Sequence, residues 1–135
     1  MSAACIVYSL DHLVLTVADI DATVAFYQSA LGMRAEEFAP GRKALLFGDA
    51  KINLHQRGRE FRPCAANPTP GSADLCFLCR QPVDEVAERL RRLGVPVEEG
   101  PVDRSGATEK LVSIYFRDPD GNLIEASNLA SFRNQ

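Results

Sequence analysis

No apolar run in the sequence approaches the roughly 20 residues needed to cross a bilayer. Met1–Tyr8 carries no basic segment ahead of its apolar stretch, so a secretory leader is not expected, and the expected location is the cytoplasm. Basic charge is not in excess: 15 Lys and Arg stand against 18 Asp and Glu, for a net charge of -3. That balance argues against a nucleic-acid partner, which calls for a basic surface. It places no restriction on a small ligand. Cysteine is sparse, and in a cytoplasmic chain Cys5, Cys64, Cys76 and Cys79 are expected as free thiols. Cys76-Phe-Leu-Cys79 has the spacing of a redox or zinc motif, but on a strand an offset of three sends the thiols to opposite faces. Core packing is the expected role of that pair. Histidine is scarcer still, with only His12 and His55.

What is present is one soluble domain's worth of chain: 135 residues, 46% hydrophobic and 24% charged. Apolar and polar residues alternate over 7–17, predicting a strand. Asp19 and Asp21 are candidate caps for a helix over 22–31 with an apolar stripe of Ile20, Val24, Tyr27 and Leu31, and Gly32 stands at its C-terminal cap. Strands are predicted at 33–38, 43–47 and 51–56. Residues 57–72, with three prolines and two glycines, read as a linker or long loop. The pattern then restarts, with a strand at 74–79, a helix from Pro82 to Leu93 capped by Gly94, and strands at 95–99, 112–116 and 122–127. The segment 100–110 reads as a loop.

The restart is an internal repeat. Module one spans 7–56, the linker 57–72 and module two 73–128. Leu31-Gly32 recurs as Leu93-Gly94, and the same spacing carries His12 onto Asp74. Matching Phe47 to Phe116 carries His55 onto Glu125. By strand parity all four polar residues point away from the helices. Two imidazoles and one or two carboxylates gathered in one hollow are costly unless paired or metal-bound. Mixed nitrogen and oxygen ligands suit Fe, Mn, Ni or Zn, so one divalent metal ion held by His12, His55, Asp74 and Glu125 is the expected centre. Asp74 fits equally as a ligand or as a hydrogen-bond partner of an imidazole. The alternative for any single histidine is a solvated or hydrogen-bonded surface residue. Tyr115 shares the outward face with Ser113 and Arg117, where it either donates to an oxyanion or fills space. Arg57, Arg59, Arg62 and Arg104 are either solvated loop residues or a cover able to hold an anionic substrate.

The repeated β-α-β-β-β module, Asp11-His12-Leu13, Ala25-Phe26-Tyr27 with Leu31-Gly32-Met33, and Phe116-Arg-Asp-Pro-Asp-Gly-Asn-Leu-Ile-Glu125 together resemble the vicinal oxygen chelate superfamily. That superfamily includes glyoxalase I, extradiol dioxygenases, fosfomycin-resistance enzymes and bleomycin-binding proteins. The likeness is strongest to the glyoxalase domain-containing protein 5 group and its bacterial virulence-associated relatives. It covers roughly residues 8–128. It implies an α+β fold in which two βαβββ modules form a barrel-like cup, either within one chain or swapped between two, and a homodimer. It implies metal ligands from the first and last strands of each module, at His12, His55, Asp74 and Glu125. Glyoxalase I usually has glutamate where this chain has His55 and histidine where it has Asp74, so neither its reaction nor that of the extradiol enzymes transfers directly. The expected function is a metal-dependent glyoxalase-like lyase or isomerase on a small molecule with adjacent oxygens, with Glu125 and Tyr115 as the catalytic pair. The alternatives are a ring-cleaving dioxygenase and a non-catalytic binding or resistance protein.

Overall fold

The computed structural model describes residues 4–132. The element order is β1 (His12–Val17), α1 (Ile20–Leu31), β2 (Arg34–Ala39), β3 (Arg42–Phe47), β4 (Ala50–Gln56), then β5 (Asp74–Leu78), α2 (Val83–Arg92), β6 (Glu99–Ser105), β7 (Lys110–Arg117) and β8 (Leu123–Leu129). Each module forms its own four-stranded mixed sheet, ordered β1-β4-β3-β2 and β5-β8-β7-β6. In each, the first strand runs parallel to the last and the other pairings are antiparallel. The repeat is thus a repeat of topology. Among the described residues no strand of one sheet pairs with a strand of the other, and the two sheets do not close a barrel.

Alternation decides what lies between the sheets. Leu15 and Val17 of β1, Ile52 and Leu54 of β4, Ile114 and Phe116 of β7, and Ile124 and Ala126 of β8 join Tyr27, Ala30, Val83, Val86, Ala87 and Leu90 of the helices in one buried cluster. Both sheets therefore turn their helix-bearing faces into a single shared core, and both opposite faces turn away from it. Tyr27 crosses between the modules: it is fully buried, and its hydroxyl donates to Asp118 Oδ2 at 2.6 Å. The rings of Phe26 and Phe116 pack beside it, 6.2 Å apart.

Local signals explain the boundaries. Asp19 caps α1 by accepting from the Ala22 amide, and Gly32 ends it at φ 70°, a left-handed geometry that suits glycine. Pro82 stands just before α2 and supplies no side-chain cap, so the helix begins one residue later than expected. The strand expected at 95–99 instead starts at Glu99 and runs through much of the segment expected to be a loop. Gly100-Pro101 looks like a breaker, but it falls in a bulge, where the β6–β7 register shifts between Glu99 and Val102. A Cβ on Gly100 would lie 2.3 Å from the Ser113 carbonyl oxygen, so that close approach needs glycine. The linker has neither helix nor strand. It lies over one end of β1 and β4 and encloses a cavity of about 220 Å³ bordered by Thr16, His55, Thr69 and Asn122. Among the described residues no helix is long and apolar enough to cross a membrane.

Candidate functional site

The polar residues picked out by parity do lie on the outward faces, but on two separate ones. Module one presents His12, Val14 and Thr16 from β1, with Lys51, Asn53 and His55 beside them on β4. Module two presents Asp74 and Cys76 from β5, with Glu125 and Ser127 on β8 and Ser113 and Tyr115 on β7. Because both faces turn away from the common core, the two halves do not meet within the chain. Among the described residues no three His, Cys, Asp or Glu side chains are placed to hold one metal ion.

Strand register also changes which residue completes the first half. His12 pairs with Lys51, as Asp74 pairs with Leu123. Glu125 lies two residues beyond Leu123, and the residue two beyond Lys51 is Asn53. His55 is the counterpart of Ser127, so the expected match of His55 to Glu125 is corrected to Asn53. Its cross-strand neighbour is Thr16, four residues along from His12. At about 3.3 Å per residue that is roughly 13 Å of strand. With metal–nitrogen bonds of about 2.0–2.1 Å, side chains standing parallel at that separation do not reach one ion. His55 is therefore withdrawn as a co-ligand of His12.

Two of the remaining members, His12 and Glu125, are already oriented. His12 is partly exposed, and its Nδ1 meets Asp11 Oδ1 at 2.8 Å, leaving Nε2 free. A carboxylate on one ring nitrogen is the usual partner of an imidazole whose other nitrogen binds a metal. Glu125 Oε2 accepts from Ser113 Oγ at 2.7 Å, leaving Oε1 free. Asp74 is exposed at the start of β5, and among the described residues no hydrogen bond fixes its carboxylate. Asn53 is 8% exposed, and its Oδ1 is a buried acceptor with no donor. One imidazole, two carboxylates and an amide oxygen are a donor set that fits an oxygen-preferring divalent ion.

His55 sits in different company. It is 4% exposed, stands edge-on to Phe61 of the linker at 5.7 Å, and its Nδ1 has no partner. Burial, then the Arg42 charge, lowers its pKa. Such an orphaned polar atom costs about 1–3 kcal/mol if nothing satisfies it. No site role was expected of Arg42, Lys51 or Asn53, although alternation puts Asn53 on the same face as His55. The available signal for Asn53 was the triplet Ile52-Asn53-Leu54, matching Ile124-Glu125-Ala126.

Tyr115 pairs with Glu125 across the β7–β8 ladder, and its hydroxyl accepts from Arg104 Nε at 2.9 Å. Partial burial and the Glu125 charge raise its pKa against the lowering effect of Arg104. Arg104 belongs to β6 and also meets Glu99. Arg57, Arg59 and Arg62 are exposed. All four cysteines are free; Cys76 lies on the outward face near Ser127 Oγ, and Cys79 packs toward the core, as strand parity requires.

A family model described as the Glyoxalase/Bleomycin resistance protein/Dioxygenase superfamily matches residues 9–126. A virulence protein of Salmonella typhimurium, STM3117, is 55% identical over 122 residues, which is 90% of this chain and 85% of that protein. Its crystal structure superposes with a TM-score of 0.91, covering 93% of this chain and 100% of that one at 53% identity. A glyoxalase domain-containing protein of Mycosarcoma maydis is 53% identical over 122 residues, 90% of this chain and 69% of that protein. A mutant of FosX, a fosfomycin resistance protein of Listeria monocytogenes, was solved with Mn(II) and 1S,2S-dihydroxypropylphosphonic acid. It is 25% identical with a TM-score of 0.65, over 96% of this chain and 98% of that chain.

Proposed function

The chain belongs to the glyoxalase/bleomycin resistance protein/dioxygenase superfamily, and from that premise we propose a divalent-metal-dependent enzyme of the glyoxalase-like lyase or isomerase kind, acting on a small molecule through two adjacent oxygens. The observation that carries this reading is the orientation of the two half-sites. His12 is held by Asp11 and Glu125 by Ser113, each with one donor atom left free. The halves become one site when a second copy places its Asp74 and Glu125 against His12 and Asn53 of the first. The half-exposed Val14 and the 60% exposed Leu78 lie on those same faces and support their being covered. FosX binds Mn(II) together with a vicinal diol, which supports the same pairing of ion and adjacent oxygens here.

A divalent ion bound at this centre would supply Lewis acidity to the two substrate oxygens. His12, Asp74 and Glu125 would hold it, and Asn53 Oδ1 would be available as a further oxygen donor. The Tyr115 hydroxyl, fixed by Arg104, donates toward negative charge developing on a substrate oxygen. Glu125 keeps Oε2 on Ser113, so Oε1 is the oxygen that would be left to hold the ion or to carry a proton.

The test is calorimetric titration of the stripped protein with Mn(II). Saturable binding is expected, weakened at least 100-fold in His12→Ala and Glu125→Ala. Asp11→Asn removes only the support of the imidazole and is expected to weaken binding by about 10–100-fold. If no ion binds, the binding-protein reading replaces the enzyme. Oxygen uptake with a catechol, in place of turnover of a glutathione adduct, would move the reaction to ring cleavage.

A further inference from the structure

The outward face of module one carries a row of side chains that metal chelation leaves unused. Lys51 Nζ lies 4.1 Å from the centroid of the Phe38 ring, and the Arg42 guanidinium lies 5.4 Å from that same ring. Arg42 is also 4.4 Å from Phe61, whose ring carries the edge of His55. The row therefore reads Lys51, Phe38, Arg42, Phe61, His55, drawn from β4, β2, β3 and the linker. Both cations are half-buried and both phenylalanines remain more than a third exposed.

Neither cation meets a carboxylate in any ion pair of the described residues. Two carboxylates are nearby. Glu36 lies cross-strand from Ala44 on this sheet, and Glu60 is turned onto the Gly58 amide at 2.9 Å. A ring face holds a cation in place without cancelling its charge, whereas a carboxylate cancels it. Arg104 of module two shows the contrast: its guanidinium also lies over a ring, Tyr115 at 5.3 Å, but its charge is met by Glu99. Lys51 is moreover the register partner of His12, so the row begins beside the first proposed ligand. On the same face lie two buried polar atoms without partners, Asn53 Oδ1 and His55 Nδ1.

We infer that the ligand of this chain carries a carboxylate in addition to its two adjacent oxygens, and that Arg42 and Lys51 receive that carboxylate. The inference rests on the chelate reading only for where the adjacent oxygens sit. Arg42 offers a fork of parallel N–H donors that matches a carboxylate, and Lys51 offers a second charge at the same ring. The two residues thus select the charged end of the substrate, while the proposed centre takes its adjacent oxygens.

Two titrations separate this inference from the reading it builds on. In the first, metal-free protein is titrated with glutarate, which has no adjacent hydroxyl and carboxyl oxygens, and with neutral glutaramide. Saturable amide shifts at Phe38, Arg42 and Lys51 are expected with glutarate alone, and are expected to vanish in R42Q/K51M with its circular dichroism unchanged. In the second, Mn(II)-loaded protein is titrated with lactate, malate and 2-hydroxyglutarate, which share a chelating 2-hydroxy acid and differ in the second carboxylate. At least one of the two diacids is expected to bind at least tenfold tighter than lactate. In R42Q and in K51M that preference is expected to fall toward twofold with lactate affinity unchanged. Absence of glutarate shifts in the wild type, or a diacid preference that survives both substitutions, overturns the carboxylate site. If lactate binds no better with Mn(II) than without it, the chelate reading falls, and the glutarate titration still decides the carboxylate site.

Discussion

Tyr27 shows how one side chain ties the modules together and how that tie responds to pH. Its hydroxyl is buried against Asp118 Oδ2, which also accepts from the Asn122 side chain. Burial first, then the Asp118 charge, raises its pKa well above the ordinary 10.0. A folded-state pKa above the unfolded value means the stabilisation is complete below about pH 10 and is lost as pH rises further. There the unfolded chain releases a proton that the folded chain keeps, a slope of about 1.4 kcal/mol per pH unit. Tyr27→Phe is expected to cost about 1–3 kcal/mol at neutral pH, as a lost hydrogen bond to a charged group. It is also expected to remove about one proton's worth of the alkaline slope. Urea unfolding between pH 8 and 11 measures both, and an unchanged slope in the variant would refute the assignment. At this scale the sequence told faces more reliably than partners. His12, Asp74, Glu125 and Tyr115 all lie on the outward faces that alternation assigned. His55 was paired with Glu125 because Phe47 was matched to Phe116, whereas strand pairing makes Leu45 the counterpart of Phe116. A slip of two residues preserves every side chain's face, so alternation cannot detect it.

Elements meet through side chains that no single element's sequence announces. α2 lacks a cap of its own and takes one from β8: Asn128 Oδ1 accepts from the Val83 amide at 2.7 Å, and its Nδ2 donates to the carbonyls of Cys79 and Gln81. That one amide joins the end of β5, the loop after it and the helix start. Asn128→Ala leaves a buried N–H and two carbonyls to find other partners, and is expected to destabilise the fold by about 2–4 kcal/mol. Asn128→Asp keeps the acceptor for Val83 but loses the donors, and is expected to recover part of that loss. Denaturant midpoints of the three proteins give the order, and a neutral Ala variant would exclude the bridging role. The elements themselves were largely legible because each helix and most strands carry their own period. β6 was not, since its start is set by a bulge opposite Tyr115 and Ser113 rather than by its own pattern. The row of Arg42 and Lys51 was equally hidden, because its members come from three strands and the linker and touch only once β2, β3 and β4 are in register.

For the whole molecule, the shared core settles how the modules sit and thereby where a complete site has to form. The helix faces of both sheets are consumed by that core, so His12 on one outward face and Glu125 on the other cannot be neighbours in one copy. The proposed site therefore draws its halves from two copies related by symmetry. This makes a prediction that a site within one chain does not share. His12→Ala and Glu125→Ala are each expected to bind no Mn(II) tightly, since each spoils both sites of its own dimer. Mixed, unfolded and refolded together, they form hybrid dimers in which one site carries both substitutions and the other carries neither. With random pairing about half the dimers are hybrids, so tight binding should return to about a quarter of all sites. Calorimetric stoichiometry of the refolded mixture measures that fraction directly. A mixture as inactive as its parents, in a preparation shown by light scattering to be dimeric, would place both halves in one chain and reverse the architecture argued for the centre.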